Sequence, residues 1–262
     1  MHELTAYAAS LAIGLSLGLI GAGGSILTIP VFVYVLKKDP LSSGVYSMFV
    51  VGISALAGSI QSMINKLVDI KTAFTFGMSS IVGVFIARKL IFPAIPADLS
   101  VTDSFSMSKD ILFMLALAAL MLLAGIKMLK PMSVAEPSGE KPAIARLLFR
   151  GLFVGLITGL LGIGGGFLIV PALYFWARLP VKQAIGTALL IITANSLVSF
   201  LTSYSSMNID WMLLMKFSLG AVAGIAVGTK LSQRIAGEVL KKIFGLFILI
   251  VSVYIVYKQF FM

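Results

Sequence analysis

Long uncharged, apolar stretches alternate with short polar punctuation along this chain. No charged residue occurs in 4–36, 41–65, 151–177 or 183–209. Each run exceeds the about 18 residues needed to cross ~30 Å of hydrocarbon at ~1.5 Å per residue. One such run could be a buried helix of a soluble core; four cannot. With the apolar segments between them, the pattern predicts spans near 4–36, 43–65, 70–90, 110–129, 147–178, 183–205, 211–232 and 239–259. The expected class is therefore an all-α polytopic membrane protein with about eight transmembrane helices. Residues 1–3 lack the positive start of a secretory signal and the run after them is too long for one, so the first span is expected to be retained.

The chain repeats itself. A shift of 141 residues aligns the halves without a gap over about eighty positions. Gly14 falls on Gly155, Gly18 on Gly159, Gly21 on Gly162, Gly24 on Gly165 and Pro30 on Pro171. Farther on, Asp69 meets Asp210, Gly83 meets Gly224 and Lys89 meets Lys230. The expected organisation is a first repeat at 1–130, a linker at 131–145 and a second repeat at 146–262. The stretch KPMSVAEPSGEK at the join is polar and rich in Pro, Ser and Gly, as solvent linkers are. An insertion at 91–109 belongs to the first half alone.

Two spans are too long. The uncharged run 4–36 would make a straight helix of roughly 50 Å, well beyond one crossing. A break at the cluster Gly21-Ala22-Gly23-Gly24 absorbs the excess, and the partner span breaks at Gly162-Ile163-Gly164-Gly165-Gly166. Broken or re-entrant helices are expected at both. A break inside a membrane frees backbone N–H and C=O groups, which is tolerated where they line a cavity. The helix that restarts aims unpaired N–H groups and a partial positive charge at that cavity, a site for an anion without a cationic side chain. Two such ends converging near the midplane is a recurring transporter arrangement. The candidate substrate-binding residues are Gly21, Gly23, Gly24 and Ser25, with Gly162, Gly164, Gly165 and Gly166. Pro30 and Pro171 would kink the restarted segments.

Other polar residues add to this set. Asn195 lies in an apolar stretch and must find a partner, on another helix or on a ligand; its repeat counterpart is Ser54. Ser47 and Thr187 lie nearer the starts of those spans, and such hydroxyls commonly bond their own backbone. Asp69 and Asp210 precede helices and read as N-caps. Lys216 and Lys127 could line an anion pathway, but both have stems long enough to snorkel to the interface. The four-residue ladders Ser10/Gly14/Gly18, Gly151/Gly155/Gly159, Ser79/Gly83/Ala87 and Gly220/Gly224/Gly228 read as packing faces.

Composition supports the class and excludes others. The chain is 59% hydrophobic and 11% charged, where soluble domains are about 25% charged. Its mean hydropathy is +1.07. It has no cysteine and one histidine, His2, so no cofactor, metal site or disulfide is expected. No Asp or Glu falls in a span centre, which disfavours a carboxylate proton relay. An intramembrane enzyme would need a Ser/His pair, two aspartates or a His/Glu metal motif, and none is present; a non-catalytic assembly factor stays open as an alternative. The net charge of +10 comes from Lys and Arg scattered singly between spans, which set topology and meet anionic headgroups. The expected partners are a small anionic substrate and the lipid bilayer, with no nucleic acid; self-association as a homo-oligomer is compatible. Eight alternating spans put eleven of the twenty basic residues opposite the termini, a lean to outward termini. Parallel and inverted repeats both stay open.

The paired motifs GLIGAGGSILTIP and GLLGIGGGFLIVP, with AIGTALL in the second half and VDI and IDW opening the third and seventh spans, resemble the TauE/SafE sulfite exporter family. The resemblance covers nearly the whole chain. VYSM in the first half departs from the second half's GTAL, and cysteines of some family members are missing. The resemblance implies a multi-pass transporter of the inner (cytoplasmic) membrane. It also implies export, in some members uptake, of sulfite, sulfoacetate, other sulfonates or related oxyanions.

Overall fold

The computed structural model describes residues 2–21, 27–29, 31–94, 98–102, 105–129, 143–161, 166–204 and 209–261. Within them, nine helices form the bundle: α1 (His2–Ile20), α2 (Pro40–Ile64), α3 (Ile70–Ile86), α4 (Lys109–Leu129), α5 (Ile144–Leu161), α6 (Gly166–Trp176), α7 (Val181–Ser203), α8 (Trp211–Arg234) and α9 (Gly237–Phe261). A π-helical turn, Val31–Val35, precedes α2, and a second, Ala87–Ile91, prolongs α3. Segments Ser42–Ile64, Ile70–Ile91, Val181–Ser203, Trp211–Arg234 and Gly237–Tyr257 are long and apolar enough to cross a membrane; Tyr7–Ile20 and Ala118–Leu129 are shorter apolar helices. The all-α expectation needs one amendment. The first-half insertion forms a small antiparallel hairpin, Asp98–Thr102 against Phe105–Ser108.

Large apolar side chains on the outside, such as Phe74, Phe149, Met212 and Leu219, are two-thirds exposed or more. That surface suits hydrocarbon and not water. Inside, small hydroxyls replace bulk: Ser10, Ser43, Ser54, Ser80 and Ser196 are buried. Ser54 donates to Val50 O at 2.6 Å and Thr193 to Leu189 O at 2.8 Å. Their own helices satisfy them.

Caps set the helix starts. The Asp69 carboxylate accepts from Thr72 N–H at 2.8 Å, and the Asp210 carboxylate from Leu213 N–H at 3.0 Å. Asp39 caps α2 through Ser42 N–H at 2.9 Å, a bond that holds its exposed carboxyl below the usual range. That contribution is complete above the ordinary carboxylate pKa and is lost as pH falls through the lowered value. Asp69→Ala and Asp210→Ala should each cost about 1 kcal/mol, read as a lower thermal midpoint in detergent, with Asn retaining most of the cap.

The small-residue ladders pair crosswise. A Cβ on Gly14 would overlap the Ala221 carbonyl, and one on Gly18 would lie 2.7 Å from Thr229 N. In the same way a Cβ on Gly155 would overlap the Ser80 carbonyl, and one on Gly159 would lie 2.8 Å from Ala87 Cβ. Thus α1 packs on α8 and α5 on α3, backbone against backbone.

These contacts also set directions. Both pairs, α1 with α8 and α5 with α3, run parallel, since residue numbers rise together along each interface. Helix α2 is parallel to α8, because Tyr46 meets Asp210 and Gly58 meets Ile225. Helix α3 is parallel to α7, through Asp69 with Thr187 and Ser80 with Asn195. Helices α2 and α7 are antiparallel: Gly52 lies against Leu197, Gly58 against Leu189 and Gly186 against Ser62. So α1 and α2, consecutive in the chain, point the same way, and so do α5 and α7.

The chain must therefore travel back between them. After α1, Gly21 lies against Ile185 near the start of α7. Phe32 then packs on Phe217 at 4.8 Å and Tyr46 at 5.5 Å, and Lys38 reaches Asp210 at 4.0 Å, beside the start of α8. In the second half α6 makes the return, ending where Trp176 O accepts from Arg150 near the start of α5 at 3.2 Å. Helix α6 has 11 residues, with Pro171 inside it. Its length of roughly 16 Å is about half a membrane thickness.

Candidate functional site

Where helix α1 stops, Gly21 takes a φ of +75° and its N–H caps Leu17 O at 2.7 Å. That left-handed conformation would be strained by a side chain. A Cβ there would also lie 2.9 Å from Ile185 Cγ2 and 3.2 Å from Val170 Cγ2. The first break thus touches both the returning helix α6 and α7. Gly166 begins α6. Gly23, Gly24, Ser25, Gly162, Gly164 and Gly165 lie outside the described residues.

Ser54 and Asn195 stand at the same level, where α2 crosses α7 between the Gly52–Leu197 and Gly58–Leu189 contacts. Asn195 is 1% exposed; its Nδ2 donates to Ser80 Oγ on α3 at 2.7 Å, while its Oδ1 is buried with no hydrogen-bond partner. An orphaned amide oxygen in such a place costs about 1–3 kcal/mol. The Ser80 hydroxyl can donate as well as accept, so the amide can turn over and present its two N–H groups to the orphaned side. Ser47 Oγ, 1% exposed on α2, also lacks a partner.

Thr187 is differently engaged. Its Oγ1 accepts the Asp69 N–H at 3.0 Å, tying the α2–α3 turn to the start of α7. At the opposite end, Tyr46 OH accepts the Asp210 N–H at 2.8 Å. Because α2 and α7 are antiparallel, Ser47 and Thr187 stand near opposite ends of the bundle, so the four polar candidates do not converge on one point. Lys216 and Lys127 are both exposed on the outer surface.

Sequence reasoning missed Ser80 and Tyr46. Ser80 carries no local signal, since it is one of many small residues on an apolar helix. Tyr46 could have been found as the counterpart of Thr187 at the 141-residue offset.

A bundle with an apolar outer face and interior hydroxyls is the build of a polytopic membrane protein. A family model for the sulfite exporter TauE/SafE matches residues 6–255, and this chain belongs to that family of membrane transporters. It is 30% identical over 255 residues to a probable membrane transporter protein of Xylella fastidiosa strain 9a5c, covering 94% of this chain and 92% of that protein. A second, YunE of Bacillus subtilis, also named a probable membrane transporter protein, is 24% identical over 264 residues, covering 93% of each. No solved structure matches the chain.

Proposed function

We propose that this transporter exports a small oxyanion, of the sulfite, sulfoacetate or organosulfonate class, across the inner (cytoplasmic) membrane. The observation that carries the reading is the pair of buried, unpartnered polar atoms, Asn195 Oδ1 and Ser47 Oγ, inside the bundle. Such atoms are retained where a ligand or water completes them. The proposed binding residues, spread along the bundle and not gathered at one point, are Gly21, Gly23, Gly24 and Ser25, their counterparts Gly162, Gly164, Gly165 and Gly166, and Ser47, Ser54 and Asn195, with Thr187 holding one end of α7. Proteoliposome transport of labelled sulfite, sulfoacetate, taurine and thiosulfate tests it. Movement of none of these would remove the anion reading.

We further read the halves as inverted repeats of five passes each. The supporting contacts come in pairs at the 141-residue offset: Asp69 with Thr187 and Asp210 with Tyr46, Gly14 with Ala221 and Gly155 with Ser80. Counterpart helices α2 and α7 run antiparallel, as repeats related by a pseudo-two-fold axis in the membrane plane must. On this topology thirteen of the twenty Lys and Arg fall on the side of the 130–142 linker and seven on the side of the termini. The linker side is then cytoplasmic and the termini are outside. The chain lacks native cysteine, so single cysteines report cleanly. An impermeant maleimide applied to intact cells should label Lys89→Cys and Tyr204→Cys and spare Lys71→Cys and Lys242→Cys; the reverse pattern would invert the assignment.

Transport should not depend on a buried carboxylate. Asp69 and Asp210 act as caps, and Asn caps equally well. Replacing each acidic residue by its amide should leave substantial transport, and one amide that abolishes it in a folded protein would refute this.

A further inference from the structure

We propose that Arg88 binds the oxyanion, as a cationic station at the end of α3 that the second half of the molecule lacks. This rests on the transport reading above.

Arg88 sits in the π-helical turn Ala87–Ile91, in a segment apolar enough to cross a membrane. π-Turns inside helices recur at functional sites because the extra residue re-aims a side chain. The turn packs near the end of α5 (Ile144–Leu161): a Cβ on Gly159 would meet Ala87 Cβ at 2.8 Å and Val84 Cα at 2.9 Å. Arg88 is thus next to the residue that contacts α5 just before the second glycine cluster begins. Its guanidinium lies 5.3 Å from the Phe92 ring centroid, and its Nε is buried with no hydrogen-bond partner. Among the described residues the ion pair is Lys38 with Asp210, so no described carboxylate neutralises Arg88.

A buried guanidinium donor without an acceptor is costly, and a cation in a membrane segment is retained where it meets a partner or a pathway. Its planar fork suits two oxygens of one –SO₃ or similar group. The counterpart at the 141-residue offset is Thr229, 2% exposed, whose hydroxyl donates to Ile225 O in its own helix. Both positions adjoin a small-residue ladder, Arg88 that of α5 and Thr229 that of α1, so the halves share the shape and differ by one charge. Lys89 next to it is exposed and lies 5.3 Å from the centroid of the Phe85 ring. That contact separates a snorkelling cation from one whose Nε is buried.

A phosphate headgroup has the same chemistry as a free oxyanion, and the experiment must separate them. The protein is purified in neutral detergent free of anionic lipid and titrated with sulfite, sulfate and sulfoacetate by calorimetry, with melting as a second readout. Arg88→Gln should lose anion affinity by about tenfold or more, the equivalent of one charge-assisted contact. Arg88→Lys keeps the charge and is the safer variant for folding; it should lose affinity by severalfold, because the ammonium lacks the fork. Lys89→Gln should bind as wild type. Wild-type affinity in Arg88→Lys and Arg88→Gln would overturn the assignment while leaving the transport reading intact. Stabilisation by phosphatidylglycerol but not by the free anions, lost with Arg88→Gln, would overturn it in favour of a lipid anchor. Failure of the wild-type protein to bind any anion would overturn both.

Discussion

A single methyl group at Gly83 or Gly14 is expected to lower stability by about 3 kcal/mol or more, read as a large drop in melting temperature in detergent, because the usual cost of overpacking, about 1–3 kcal/mol, applies where side chains can yield. Here the obstructing atoms are backbone. A Cβ on Gly83 would overlap the Leu152 carbonyl and lie 2.8 Å from Leu156 N; one on Gly14 would overlap the Ala221 carbonyl. Neither helix can relieve the clash by turning a rotamer, so α5 or α8 must move away along its length. In a bilayer that loss is not offset by a hydrophobic force between helices, because lipid tails are as apolar as leucine. Gly44, with nothing within 4 Å of its added Cβ, supplies the control. Gly44→Ala should be neutral or slightly stabilising. Equal melting temperatures for Gly83→Ala, Gly14→Ala and Gly44→Ala would show that the ladders are not the seams of the bundle.

The proposed anion site should respond in affinity. Gly24→Val and Gly165→Val are each expected to weaken anion binding by at least about a hundredfold, since each charge-assisted N–H contact is worth roughly 1.5–3 kcal/mol and a branched side chain would block two. Asn195→Ala should give a smaller loss, because on the proposed reading that amide only orients the ligand from the α2–α7 crossing. Removing it also leaves Ser80 Oγ without the bond it makes now at 2.7 Å, so a stability change is expected alongside. Calorimetry on variants that stay monodisperse separates the effects. Wild-type affinity in both valine variants would make the clusters packing devices and leave the cation at position 88 and the Asn195–Ser80 pair to hold the ligand.

Local physics makes much of this protein legible in its sequence. Uncharged runs long enough for hydrocarbon marked membrane segments, because a charge in the bilayer is expensive and its absence over a whole crossing is informative. Asp69 and Asp210 announced helix starts because a cap is a contact to a neighbour in the next turn. Gly21, at the head of a glycine cluster in an over-long run, marked where α1 stops, and four-residue spacing marked the faces that pack closely. The tertiary structure alone decided which face meets which. A small-residue ladder states that some backbone approaches closely and carries no address, and its partner proved to lie in the other half, α8 for α1 and α3 for α5. The same non-local contacts decided that α1 and α2 point one way, with the chain travelling back between them, something hydropathy cannot register because it has no direction. They also buried Asn195 against Ser80, 115 residues apart, and closed off Arg88 Nε, which in sequence is one scattered cation among twenty. Burial and pairing of polar groups are set by whichever segments the fold brings alongside, and that is why the apolar membrane helices were readable from the chain and the site was not.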